Sequence, residues 1–148
     1  MIDLTMVLLE MQELNQKIES ILTLSWYKEC DDLSEIAIDY QDGQQLFLQE
    51  ELSGMMDKLS VVSGGITYLS QPIRESSRLH KNRSGRYETE QGHYFTSGSR
   101  IEVRIVDDYH EVPYWVRTRV EHDGTDYYLV GHKDICMEGL PVRVREAG

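Results

Sequence analysis

Arginine is missing from the first 70 residues of this 148-residue chain. That stretch carries thirteen Asp and Glu against three lysines, Lys17, Lys28 and Lys58, a balance of −10. Residues 71–148 hold thirteen Asp and Glu against twelve Lys and Arg and contribute only −1 to the total of −11. An acidic half joined to a balanced, arginine-bearing half predicts two pieces with different jobs. The acidic half repels nucleic acid and attracts basic surfaces, which points to a partner-binding protein.

Cysteine is scarce too. Cys30 and Cys136 are the only two, far apart and in no CxxC pattern, so they fit reduced, cytosolic thiols better than a disulfide framework. No apolar run approaches the roughly 20 residues that span a bilayer. The opening MIDLTMVLLEMQEL carries Asp3, Glu10 and Glu13 and lacks the basic start and cleavage site of a signal peptide. A cytoplasmic location follows as the expectation. The composition, 40% hydrophobic and 28% charged, is that of a folded domain rather than a disordered tract.

Catalytic and metal-binding motifs are absent as well. His80, His93, His110, His122 and His132 all lie in the second half, without HxH, HExxH or Cys/His ligand spacing, so no metal or cofactor is expected. Ser97 stands in Thr-Ser-Gly-Ser, not in a GxSxG elbow. Gly64-Gly65 lacks the following Gly-Lys-Ser/Thr of a phosphate loop. Cys136, between Ile135 and Met137, reads as a small core residue. The chain reads as non-enzymatic.

What is present in the first half is helical periodicity. Leu4, Val7, Met11, Leu14, Ile18 and Ile21 recur at 3-4 spacing with no Pro or Gly between them, which predicts a helix from about Ile2 to Tyr27. Asp31 or Asp32 is a candidate N-cap for a second helix, with Glu35 in capping-box position. Its stripe runs through Leu33, Ile36, Ala37, Tyr40, Phe47, Leu48, Leu52, Met55 and Leu59 and keeps phase across Gly43. Two such helices form an antiparallel hairpin over 1–63. A hairpin has one face too few to close a core, so it is expected to pack on the second half of the chain, on a partner, or on a copy of itself as a homodimer. Ser63-Gly64-Gly65 and Gln71-Pro72 mark a linker over 64–77.

From residue 78 to 148 the pattern is that of strands. Arg86–Thr89 and Tyr94–Thr96 flank a Gln91-Gly92 turn. Arg100–Val106 alternates, with Ile101, Val103 and Ile105 on one face. Tyr114–Val120 alternates again, Asp123-Gly124 is a tight-turn signal, and Gly139–Arg145 closes the set. The fold class is α+β, with the hairpin followed by a small SH3-like antiparallel barrel or curled sheet.

The runs Gly85-Arg86-Tyr87-Glu88, Thr96-Ser97-Gly98-Ser99, Trp115–Val120, Asp126-Tyr127-Tyr128-Leu129 and Gly139–Arg145 resemble a small β domain of unknown function. Such domains occur in proteins of bacterial plasmids, conjugative elements and phages. The resemblance covers about Leu79 to Arg145. It implies a mobile-element setting, where small acidic proteins serve as inhibitors of host defence, and assigns no activity.

Two functional readings follow. In the first, Glu29, Asp31, Asp32, Glu35, Asp39, Asp42, Glu50 and Glu51 occupy the nucleic-acid channel of a basic host protein, as an anti-CRISPR protein would on a Cas effector. Glu35, Asp39 and Asp42 are then expected on one helical face. In the alternative, Arg74, Arg78, Lys81, Arg83 and Arg86 grip phosphates and the chain is a nucleic-acid-binding accessory protein.

Overall fold

The computed structural model describes residues 1–146, and these form two compact units, Met1–Gln71 and a second that begins at Pro72. The class is α+β. Among the described residues no helix is long and apolar enough to cross a membrane.

The first unit is built on two long helices. Helix α1 (Leu4–Leu24) starts at Asp3, whose carboxylate accepts the Met6 N–H at 2.9 Å. It ends where Trp26 takes a left-handed conformation, and one further turn, α2 (Tyr27–Cys30), follows. Helix α3 (Gly43–Ser70) runs antiparallel to α1. Gln12 donates to Ser70 at 3.1 Å, Asn15 to Thr67 at 3.4 Å, the Ser63 hydroxyl to Glu19, and the Tyr27 hydroxyl to Asp57, so partner numbers fall as α1 numbers rise. Ile18, Leu22, Tyr27, Leu33, Met56 and Ile66 make the core, flanked by Met11, Ile21 and Leu59.

The second helix differs from its expected course at both ends. Residues 31–42 are not helical. Asp32 accepts the Ser34 N–H at 2.9 Å, Asp39 accepts the Gln41 N–H at 2.9 Å, and the Gln45 side chain accepts the Asp39 N–H at 2.7 Å. Short polar side chains that bond nearby amides compete with the helical ladder, and three aspartates in this stretch win that competition. Asp42 is the true N-cap, accepting the Gln44 N–H at 2.9 Å, so Gly43 opens the helix instead of interrupting it. At the other end α3 passes through Ser63-Gly64-Gly65 and stops at Gln71-Pro72. Each helical glycine costs about 1 kcal/mol relative to alanine, yet the helix continues past both and buries Ile66. Residues 64–70 are therefore helix, and most of the remaining expected linker is strand β1 (Ile73–Arg78).

The second unit holds β1, a short ribbon of β2 (His80–Lys81) and β3 (Tyr87–Glu88), and strands β4 (Arg100–Ile105), β5 (Tyr114–His122), β6 (Tyr127–Leu129) and β7 (Pro141–Arg145). Five of them form an antiparallel sheet in the order β1-β7-β4-β5-β6. With β1 and β6 at opposite edges the sheet is open, and the described strands close no barrel. The alternation expected in β4 is present: Ile101, Val103 and Ile105 are buried with Val120, Leu129, Met137, Val142, Leu79, Tyr87 and Phe95. Gly92 and Gly124, at φ 89° and 96°, occupy the two expected tight turns in a left-handed conformation that glycine adopts without strain. Cys136 departs from its expected place. It is exposed while its neighbour Met137 fills the core.

Candidate functional site

Helix α3 has one packing face, and α1 covers only part of it. Met56, Leu59, Ser63, Ile66 and Ser70 follow each other at 3-4 spacing on the covered part. The same stripe continues backward through Leu52, Gln49, Leu48 and Gln45, beyond the Tyr27–Asp57 contact. There the 31–42 loop supplies Leu33, Ile36 and Ile38, and together these seven residues line an apolar groove of about 140 Å³. Leu48 and Leu52 remain exposed there, and Phe47 and Tyr40 are exposed close by in sequence.

The loop that supplies three of these lining residues is acidic. Asp31, Asp32, Glu35 and Asp39 are exposed on the loop and Asp42 is half-buried at its end. No Lys or Arg occurs between Lys28 and Lys58. The expected common helical face for Glu35, Asp39 and Asp42 does not exist, because all three precede α3. Asp39 and Asp42 are also structural, holding a turn and a helix cap. Glu29 sits in α2, and Glu50 and Glu51 in α3. By helical spacing Glu51 flanks the groove and Glu50 lies on the far side. Burial, then the charges of Glu35, Asp32 and Glu29, push the Cys30 thiol up.

The basic run expected to grip phosphates does not converge. Arg74 lies 3.1 Å from the His93 ring, Arg78 donates to the Gly139 carbonyl at 2.8 Å, and Lys81 pairs with Asp126 at 2.9 Å. Arg86 stacks 5.4 Å over Tyr94, and Arg83 is exposed in the turn between β2 and β3. The histidines are separated into local contacts: His80 with Glu88, His93 with Phe95, His110 with Asp107 and Tyr114, His122 with Tyr127. Among the described residues no three His, Cys, Asp or Glu gather where a metal could bind.

A different basic surface emerges from the strand register. Arg100 pairs with Arg119, Glu102 with Arg117, and Arg104 with Trp115 between β4 and β5, while Glu102 pairs with Arg143 between β4 and β7. Cross-strand partners share a face, and residues two apart on a strand share it as well. Six arginines, at 100, 104, 117, 119, 143 and 145, therefore stand on the face opposite Ile101, Val103 and Ile105. Arg78, paired with Pro141 at the β1 edge, joins them, the one member of the expected basic run to do so. Glu102 sits in the middle, only 5% exposed, accepting from Arg143 and, at 3.0 Å, from Arg145. The Arg143 guanidinium stacks 4.1 Å over the Trp115 ring. Sequence reading passed over this group because its members lie up to 45 positions apart. The usable signal was a pair of arginines two or four positions apart, hence on one face, in each of three strands.

Residues 76–144 match the family described as a domain of unknown function (DUF5348), just under half of the chain. The match runs from β1 into β7 and takes in five of the six arginines of the face, all but Arg145. No curated protein and no solved structure matches the chain.

Proposed function

We propose that the chain is a non-enzymatic interaction protein whose groove, beside its acidic loop, receives a basic amphipathic segment of a nucleic-acid-handling protein. The observation that carries this reading is the unfinished seam of α3. Its apolar stripe runs past the end of α1 into a groove lined by Leu33, Ile36, Ile38, Leu48 and Leu52. An amphipathic helix laid in such a groove buries its apolar anchors, and lysines or arginines on its flanks meet Asp31, Asp32, Glu35 and Asp39. The charge arrangement gives fast, salt-dependent association with a basic partner. Occupying that partner's working surface would inhibit it. An anti-CRISPR protein of a mobile element acting on a Cas effector is the concrete form. The exposed apolar side chains Leu4, Val7 and Leu14 on α1, and Val61, Val62 and Leu69 on α3, favour self-association of the hairpin. Light scattering at high micromolar concentration reports that directly.

The test uses a labelled peptide with leucines at helical i, i+3, i+4, i+7 spacing and lysines elsewhere, titrated with the full chain by fluorescence anisotropy. Binding is expected at low salt, lost with Ile36→Asp or Leu52→Asp and weakened by Glu35→Lys. The same peptide with glutamate for lysine is expected not to bind. Equal binding of both peptides, or insensitivity to Ile36→Asp, would overturn the reading.

A further inference from the structure

We propose that the solvent face of the β4-β5-β7 sheet binds the phosphate backbone of nucleic acid. The second unit is nearly neutral overall, yet its charge is sorted: six arginines face two glutamates, Glu102 and Glu121, on one side of three paired strands. Arg100 and Arg119 stand directly opposite each other. Like charges in that position weaken a sheet, and folding alone gives no reason to put them there. Arg100 and Arg104 are exposed and form no ion pair among the described residues.

The chemistry of the patch selects its ligand. Every cation contributed by these three strands is arginine and none is lysine. A planar guanidinium gives two parallel donors to a phosphate, which an ammonium does not. The cations are also held in place. Glu102 fixes Arg143 and Arg145, Trp115 packs under Arg143, and Glu121 accepts from Arg119 Nε at 2.8 Å. A side chain ordered before binding loses less freedom on contact. Rows of such groups on a rigid sheet suit a repeating anion. The indole face of Trp115 is engaged by Arg143, so contact falls on the backbone and not on the bases, and binding is independent of sequence. The net charge of −11 does not prevent this. Ten of the eleven net negative charges belong to the first unit, and the second, which carries this face, is nearly neutral.

The experiment measures anisotropy of a fluorescein-labelled oligo(dT) and of a labelled random-sequence duplex with the full chain between about 50 and 200 mM salt. Binding that weakens steeply with salt is expected. The double variant Arg100→Glu with Arg104→Glu is expected to lose affinity by about tenfold or more per arginine. Its slope of log K against log salt should fall by roughly 1.4 to 1.8, the value for two lost phosphate contacts. Arg100→Gln with Arg104→Gln carries the same test if the glutamate variant does not fold. Arg83→Glu, off this face, should bind as the unaltered chain does. No binding at 50 mM salt overturns the proposal, as does wild-type affinity in the double variant. Loss of binding in Arg83→Glu alone would move the site to the β2–β3 turn and overturn it too. Displacement by poly-glutamate as effective as that by unlabelled DNA would mean an acidic protein surface is the ligand, and would also overturn it.

Discussion

Glu102 on β4 and Arg145 on β7 meet at 3.0 Å across the sheet, on the face turned away from the hydrophobic core. The carboxylate is buried beneath the arginines that it orders, so it links the stability of the sheet to the arrangement of its basic face. Glu102→Gln removes the charge and keeps the size. Losing one partner of a buried pair costs about 3–5 kcal/mol, and the figure here should be nearer 2–3, because the Arg143 and Arg145 side chains retain some access to water. Urea unfolding followed by Trp115 fluorescence in a Trp26→Phe background measures it. The same variant should bind DNA more weakly, since Arg143 and Arg145 lose the carboxylate that holds them in place. A stability loss accompanied by tighter DNA binding would show that the removed negative charge outweighs the ordering of the arginines.

Val103 is fully buried between Val116 on β5 and Val142 on β7. Val103→Asp places a carboxylate there with no partner, and the change should cost more than about 4 kcal/mol and unfold the second unit. Trp115 fluorescence should then read as unfolded in the absence of denaturant. A melting temperature close to that of the parent would mean that the register of β4 is shifted by one residue.

Asp107 provides a pH test. The Tyr114 hydroxyl, above all, and then His110 and the Tyr109 and His110 amides hydrogen-bond its carboxylate and hold it well below the ordinary 3.8, against the opposing effect of burial. A carboxyl depressed in the folded state adds stability that is complete above its unfolded value and is lost as the pH falls through the folded one. The loop from Asp107 to Pro113 should therefore keep its order down to about pH 3.8 and loosen below it. Tyr114→Phe removes the largest contribution and should raise the Asp107 titration toward 3.8, as read from its carboxyl carbon shift by NMR. An unchanged titration would transfer the depression to the backbone amides.

Much of the second unit was legible because a strand states its faces locally. Ile101, Val103 and Ile105 alternate, and Gln91-Gly92 and Asp123-Gly124 mark turns whose glycines take positive φ. The arginine face was not legible, because it depends on β7 pairing with β4 across some 40 intervening residues. In the first unit the helix α1 read correctly, but of its expected stripe only Ile18 is buried and Met11 and Ile21 partly so, while Leu4, Val7 and Leu14 are exposed. Leu33, Ile36, Ala37 and Tyr40 also fall at helical spacing, yet they belong to a loop, because Asp32, Asp39 and Asp42 bond the backbone amides that a helix would need. Misplacing that start put Phe47, Leu48, Leu52 and Met55 in the core, where the structure buries Met56 and Ile66. The groove existed in no sequence pattern. It arises because α3, at 28 residues, outruns the 21 of α1.

The acidic loop separates cleanly into structural and free carboxylates, and that division can be measured. Asp42 accepts the Gln44 N–H at 2.9 Å as the N-cap of α3, and its other oxygen accepts from the Gln45 side chain at 3.3 Å. Replacing an N-cap aspartate by alanine costs about 1 kcal/mol, so Asp42→Ala should lower stability by that amount. It should also speed hydrogen exchange at the Gln44 amide, because that donor loses its acceptor. Glu35 is exposed on the loop, so Glu35→Lys should change stability by less than about 0.5 kcal/mol and leave exchange at Gln44 as it was. Its effect belongs to binding, where a lysine placed against a basic partner segment introduces repulsion. The pair of variants thus distinguishes an acidic loop kept for recognition from one kept to shape the chain. Equal loss of stability in both would mean that Glu35 is part of the fold, and its role in capturing a basic segment would have to be given up.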